Sequence, residues 1–329
     1  MNNLPVIKNK NPKVSIGIPT FNRPEGLKNT LEYLTKQSYT NIEIIISDNC
    51  SPTNEVSKIA AEFIDLDPRV KFYKQSENRG ASFNFKFVLH KAVGEYFMWA
   101  ADDDWWDEKF VEKIVSKILQ TPGAVAGFCN YIISDEENPA SPSPNALPHL
   151  LELNHTSDVS RLSAFIKQYE GNGKANIFYS VIKSDIIKSI PLDLINEKVL
   201  IGSDLLIIYS WLRYGNIAIC EEVLRKTTIG NVKHYDQGIA GLENVKWNLI
   251  FIYIYIGKMK FYWNTWGVNI LFYYYLTRTA PIGFFTKSLL YLTISKKILL
   301  FIYDLVCYNV VLKGFNIFQF LKRKQSLAQ

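Results

Sequence analysis

The sequence predicts an α/β fold: a mostly parallel sheet with helices on both faces, continued by a C-terminal helical region rich in aromatic residues. Three observations carry this reading. Apolar runs of strand length alternate with segments of helical spacing through roughly the first 130 residues. The strands are near-continuously apolar rather than alternating, as strands covered on both faces are. From Leu242 onward the composition shifts to dense Ile, Leu, Phe, Tyr and Trp.

The elements follow in order. Val14 to Pro19 is a first strand stopped by proline, and Leu27, Leu31 and Leu34 give Arg23 to Gln37 helical spacing. Ile42 to Ser47 is a second strand, Asn54 to Phe63 a helix, and Val70 to Tyr73 a third strand. Asn78-Arg79-Gly80 forms a turn before a helix over Ser82 to Val93. Glu95 to Ala100 is a fourth strand, opened by Gly94. Asp107 to Leu119 and Ser157 to Tyr169 are helical. Ala124 to Ile133, Asn176 to Ile182, Ile217 to Cys220 and Val223 to Thr228 are strands. Asp135 to Pro148, rich in Pro, Ser, Asn and acids, reads as a long loop.

The fourth strand runs straight into Asp102, Asp103 and Asp104. Adjacent like charges are costly unless something cancels them. A hard divalent cation does so, since Mg²⁺ or Mn²⁺ takes oxygen ligands and substrate phosphates. Open α/β sheets also bind ligands at strand C-termini. A solvated acidic loop, or a cap for the next helix, explains the triplet equally well on local grounds. Asp48, at the end of the second strand, reads either as a ribose or base contact or as a helix cap. No GxGxxG follows the first strand and no GxxxxGK[ST] occurs, which argues against a dehydrogenase and a P-loop ATPase.

Four blocks, VSIGIPTFNRPEGL, IEIIISDNCSPTN, NRGASFNF and GEYFMWAADDDWW, stand in an order and spacing that resembles the nucleotide-sugar domain of inverting family 2 glycosyltransferases of GT-A fold, such as bacterial polysaccharide and O-antigen sugar transferases. The resemblance is continuous over about 130 residues and looser to about residue 230. It implies a Rossmann-like sheet and metal-dependent transfer of a sugar from a nucleoside diphosphate donor, a UDP-sugar by expectation. It places Pro19, Thr20, Asn22, Asp48, Asn78, Gly80 and Asp102 around the donor, and Asp102, Asp103 and Asp104 about Mg²⁺ or Mn²⁺. His234, in an expected loop over Thr227 to Asp236 that folds back over the donor, is a further candidate metal or diphosphate contact. Ala101 stands where the family often has its first acid, and Asp103 falls where its last motif acid usually lies, which makes Asp103 the foremost metal candidate. The family also sets its catalytic base at the start of a helix, in a motif similar to Ser203-Asp204, here opening a helix over Leu205 to Tyr214. An acid there is otherwise a helix cap, and His234 is otherwise an exposed side chain.

The charge is unevenly placed. Residues 250–329 hold ten Lys or Arg and one acid, Asp304, a balance of +9, and the rest of the chain balances at −3. The same stretch carries 20 of 46 aromatic residues, yet its longest uncharged run, Phe261 to Thr277, is 17 residues. That is short of the roughly 20 apolar residues a spanning helix needs. Interfacial helices on a membrane surface fit this pattern, as does an ordinary packing subdomain. A division at about residue 240 is expected, with 1–240 catalytic and 241–329 helical. Four scattered cysteines without a CxxC pair, and a start without a signal-type apolar core, point to a reducing compartment. The expected place is therefore the cytoplasm, peripheral on the inner face of a bacterial membrane. The expected acceptor is a saccharide or a lipid-linked sugar, and no nucleic-acid partner is expected. A nucleotidyltransferase, or a membrane-bound scaffold with a decayed transferase domain, is the rival reading.

Overall fold

The computed structural model describes residues 11–102, 104–134, 147–168, 174–190, 203–228, 277–278, 284–296 and 298–299. Strands β1 (Val14–Thr20), β2 (Ile42–Asp48), β3 (Val70–Lys74) and β4 (Tyr96–Trp99) alternate with helices α1 (Pro24–Thr35), α2 (Glu55–Leu66) and α3 (Gly80–Lys91). The chain then forms β5 (Trp105–Trp106), α4 (Phe110–Gln120) and β6 (Ala124–Ser134). Short helices α5 (Leu147–Leu151) and α6 (Asp158–Lys167) precede a 3₁₀ segment at Lys174–Tyr179. Strand β7 (Val181–Lys183), helices α7 (Ser184–Ser189) and α8 (Ser203–Leu212), and β8 (Asn216–Thr228) follow. The expected loop at 135–148 lies largely outside the described residues, as do most of the expected C-terminal helices.

One eight-stranded sheet has the order β3-β2-β1-β4-β7-β6-β8-β5. The β3-β2-β1-β4 half is parallel, β7 runs antiparallel to both β4 and β6, and β6 and β8 are parallel. Side chains alternate across the sheet, so its two faces build two cores. Ile16, Ile18, Ile44, Ile46 and Met98 face α1, α2 and α4, whereas Ile45, Phe97 and Trp99 face α3, α6 and α8. The α3 side of β1 presents Ser15 and Gly17. A Cβ at Gly17 would come within 2.7 Å of Val88 Cγ2, so its absence lets α3 lie close on the strand.

The expected strand at Asn176–Ile182 is instead the 3₁₀ turn followed by the three residues of β7. Ser180 N–H closes the turn onto Ile177 O at 3.1 Å, and Phe178 stacks on Trp99 at 4.4 Å and 10°. That stacked ring outweighs the β-branched pattern of the segment. The two strands expected between Ile217 and Thr228 are one strand, β8, interrupted where its register with β6 shifts between Cys129 and Asn130. The helix expected from Asp107 starts at Phe110, because Asp107 Oδ1 accepts Lys109 N–H at 2.9 Å in the turn before it.

The helix at 284–296 joins the core on the α6 and α8 side. Leu290 and Ile294 are buried there, and Ser163 and Thr293 hydroxyls meet at 3.3 Å. No described helix is long and apolar enough to cross a membrane.

Candidate active site

Strand order places a crevice. The chain winds from β1 outward to β2 and β3, then returns to set β4 on the other side of β1. Loops leaving β1 and β4 therefore diverge, and this switch point is where open α/β sheets hold ligands. Thr20 ends β1, Asp48 ends β2 in register beside it, and Asp102 follows β4. Thr20 Oγ1 donates to Asp102 Oδ2 at 2.7 Å across the crevice, and Arg23 Nη1 donates to Asp102 Oδ1 at 3.2 Å. Asp102 is buried, while the Arg23 side chain is half exposed. Gly26 is required by this arrangement: a Cβ there would sit 2.1 Å from the Asp102 carbonyl oxygen.

Asp48 is fully buried. Its Oδ1 accepts Ser51 N–H at 3.0 Å and Ser51 O–H at 2.5 Å, and its Oδ2 has no partner. A buried carboxylate oxygen left without a donor costs stability unless a ligand supplies one. Asn22 and Cys50, in the loops after β1 and β2, both adopt left-handed backbone, at φ 55° and 64°. Asn tolerates that conformation, and a cysteine there carries strain of the sort that clusters at ligand clamps. Asn22 N–H donates to Ser51 Oγ at 2.8 Å, so the first two loops are tied together.

A second set of bonds holds the third loop. Asn49 Nδ2 donates to Asn78 Oδ1 at 2.8 Å, and Asn49 Oδ1 accepts Arg79 N–H at 3.1 Å. Gly80 N–H also reaches Asn78 Oδ1, with Gly80 at φ 80°. Asn84, buried on α3, donates through Nδ2 to both Thr20 O and Ser47 O, clamping β1 and β2 at their ends. Thr20, Asn22, Asp48, Asn78, Gly80 and Asp102 thus lie in or beside loops tied to one another at the C-terminal ends of β1 to β4, and Pro19 precedes Thr20 on β1. Ser51, Asn49 and Asn84 were not singled out by sequence reasoning. Their polar side chains next to apolar runs were the available signal.

Asp104 sits differently. Its Oδ2 accepts both Nε, at 3.0 Å, and Nη2 of Arg225 on β8, and both side chains are about 1% exposed. Arg225 Nη1 donates to Asn176 Oδ1 at 2.6 Å, and its guanidinium lies over the rings of Tyr179 and Trp106 at 4.4 and 5.2 Å. This carboxylate, expected in the metal set, is committed to a buried ion pair. Asp103 and His234 lie outside the described residues. Among the described residues, no group of three or more His, Cys, Asp or Glu is placed to hold a metal ion. Of the described acids at this strand end, Asp102 is held by Thr20 and Arg23 and Asp104 by Arg225.

Asp204 lies in the first turn of α8 and is half-buried. Desolvation pushes its carboxyl above the usual carboxylate range, opposed by bonds from the Leu205 and Asp204 amides and by the charge of Lys174. Its Oδ1 accepts the Leu205 amide at 2.8 Å, a bond to the adjacent residue rather than the reach of an N-cap to N2 or N3. The buried Lys174 gives its ammonium to Phe165 O and Gln168 O at 2.8 and 3.0 Å. α8 packs on the 3₁₀ segment, whose Asn176 holds Arg225.

Known proteins resemble this chain in the same region. A Campylobacter jejuni GalNAc(5)-diNAcBac-PP-undecaprenol beta-1,3-glucosyltransferase is 25% identical over 181 residues, 54% of each chain. Glycosyltransferase GlyA of Streptococcus pneumoniae is 29% identical over 125 residues, covering 38% of this chain and 18% of that protein. The chain thus spans about half or less of the length of these relatives. The crystal structure of S. aureus TarS 1-349 with UDP-GlcNAc superposes with a TM-score of 0.57 at 13% identity, over 84% of this chain and 69% of that one. This likeness shows the shared GT-A-type fold. The sequence profile of glycosyl transferase family 2 matches residues 15–182, just over half of the chain and the whole crevice from Thr20 to Asp104, so the chain belongs to glycosyl transferase family 2.

Proposed function

We propose that the chain transfers a sugar from a nucleoside diphosphate sugar to an acceptor hydroxyl, with inversion at the anomeric carbon. The observation that carries this is the buried, unpartnered Oδ2 of Asp48 at the end of β2, beside the switch point that Thr20 and Asp102 close. A base N–H of the donor satisfies that oxygen, and the uracil of a UDP-sugar has one. The TarS structures in complex with UDP-GlcNAc and with UDP support a uridine donor.

Thr20 and Arg23 orient Asp102 toward the donor's ribose and diphosphate, and the Asn49–Asn78–Gly80 turn walls the site. Bound there by Asp102 and Asp103, Mg²⁺ or Mn²⁺ supplies charge neutralisation for the leaving diphosphate. Asp204 is the general base. Its raised affinity for a proton suits it to take one from an acceptor hydroxyl, a contribution of typically 10²–10⁴-fold. The oxygen so freed attacks opposite the diphosphate, which sets the inverted configuration. The acceptor is a lipid-linked saccharide of bacterial surface polysaccharide assembly, presented at the cytoplasmic face of the membrane. The Campylobacter relative, named as a glucosyltransferase on GalNAc(5)-diNAcBac-PP-undecaprenol, supports this. Residues 1–240 carry the chemistry, and 241–329 serve the acceptor side.

The test is a thermal-shift screen of nucleoside diphosphate sugars on the purified protein, with and without Mn²⁺. Product anomer is then read by NMR for any donor that stabilises. Stabilisation by a UDP-sugar, and transfer that depends on added metal and inverts the anomer, is expected. Retention of configuration, or equal turnover with chelator present, overturns the mechanism.

A further inference from the structure

The helix at 284–296, continuing at 298–299, has two unlike faces. Its inner face is fixed: Leu290 and Ile294 are buried among α6 and α8, and Thr293 meets Ser163. Just before it, Thr277 meets the buried Tyr209 of α8 at 2.7 Å. On the opposite face Phe284, Phe285, Leu292 and Leu299 are 87%, 75%, 60% and 66% exposed. Phe285, Leu292 and Leu299 are spaced by seven, which at 3.6 residues per turn sets them in one stripe. Between them the same face carries Ser288, Leu289, Ser295 and Lys296, so a firmly seated helix presents exposed apolar side chains mixed with polar and basic ones, as interfacial helices do.

We propose that this stripe is a docking surface for an anionic lipid bilayer. It rests on the reading of the acceptor as lipid-linked, and it names the part of the chain that meets the lipid. Charge decides the occupant. The exposed Lys296 flanks the stripe, and residues 250–329 balance at +9. Two copies meeting through this region bring like charge together, whereas an anionic membrane surface attracts each basic residue near it by roughly 1 kcal/mol. Phe284 and Phe285 at the N-terminal end of the stripe, with Leu292 and Leu299, are the apolar side chains an interfacial helix sinks into the headgroup/acyl boundary. No described helix spans a bilayer, so the helix lies along the surface. Because it is seated on α8, bilayer contact brings the helix that carries Asp204 in its first turn close to the membrane, where a lipid-linked acceptor hydroxyl resides.

The experiment is sedimentation of the full chain with phosphatidylcholine vesicles, with and without phosphatidylglycerol. It is done at about 0.1 M and 1 M salt, between which the Debye length falls from about 10 Å to about 3 Å. The variants are Phe285→Ser/Leu292→Ser/Leu299→Ser and Lys296→Glu. Their exposed positions leave the fold intact, which is checked by circular dichroism. Wild type is expected to sediment with anionic vesicles at low salt, and at least ten-fold less at high salt or with neutral vesicles. The triple variant is expected to bind at least ten-fold more weakly, with donor hydrolysis unchanged. Wild type staying in the supernatant at low salt overturns the proposal, and so does undiminished binding by the triple variant. Two further results also overturn it. One is a wild-type dimer by light scattering that becomes a monomer in the triple variant, which assigns the stripe to a second copy. The other is protein that only detergent extracts. Vesicle binding without donor hydrolysis instead leaves the surface standing and removes the catalytic reading.

Discussion

The Asp104–Arg225 pair allows a prediction with a worked magnitude. Asp104→Asn keeps the shape of the side chain but removes its charge, leaving Arg225 about 1% exposed and facing an amide. Breaking a buried pair by removing one partner costs about 3–5 kcal/mol. The cost here falls at the upper end, because both Nε and Nη2 of Arg225 converge on one Asp104 oxygen. Asn176 and the rings of Tyr179 and Trp106 cannot replace that charge. At about 2–4 °C per kcal/mol for domains of 150–250 residues, a cost of about 4–5 kcal/mol lowers the midpoint by roughly 8–20 °C. The double variant Asp104→Asn/Arg225→Met should recover much of the loss, since apolar replacement of a whole buried pair is often neutral or stabilising. The assay is thermal and urea unfolding of wild type, single and double variants, with Mn²⁺ binding by titration calorimetry on those that fold. If Asp104→Asn costs under about 1 kcal/mol, or if the folded double variant loses Mn²⁺ affinity as Asp103→Asn does, Asp104 is a metal ligand and the structural assignment fails.

Other predictions follow from the same geometry. Asp204→Asn should lower turnover by about two or more orders of magnitude, as loss of a general base does, with donor affinity unchanged by calorimetry. In wild type the acid limb of the rate profile should sit above the ordinary carboxylate range, because activity appears as pH rises through the raised Asp204 value; the Asn variant should lack that limb. The same shift means that burying protonated Asp204 favours folding at low pH, and that this contribution is lost as pH rises through the folded value. Urea midpoints of wild type and Asp204→Asn should diverge in that direction. Asp103→Asn should abolish metal-dependent turnover and Mn²⁺ binding while the melting temperature stays near wild type. Gly26→Ala should weaken donor binding at least ten-fold in a thermal-shift titration, since its Cβ must displace the Asp102 carbonyl; unchanged affinity would show that the loop yields freely.

The alternation of strands and helices from Val14 to Trp99 was legible because it is written in local periodicity. Runs such as IEIIIS and helical spacing such as Leu27, Leu31, Leu34 depend only on which faces are covered. Asp48 and the Asp102–Asp104 triplet stood out for the same reason: each follows an apolar run where the chain leaves the sheet. Helix α6 was readable too, while its cap was supplied by the structure, where Ser157 accepts the Ser160 amide. The 3₁₀ segment was not, because its shape follows from Phe178 stacking on a tryptophan 79 positions away.

By itself the sequence determined a parallel α/β half, its strand-end acids, and a basic aromatic C-terminal region. Those properties rest on composition and on periods of two and 3.6 residues, which need no partner. Tertiary structure alone decided which acids share the crevice. Asp102 is turned to Thr20 and Arg23, 82 and 79 residues before it, and Asp104 is drawn away by Arg225, 121 residues beyond. Adjacent carboxylates look alike in a sequence. What separates them is the charge each one meets, and that is set by the order in which distant strands pair.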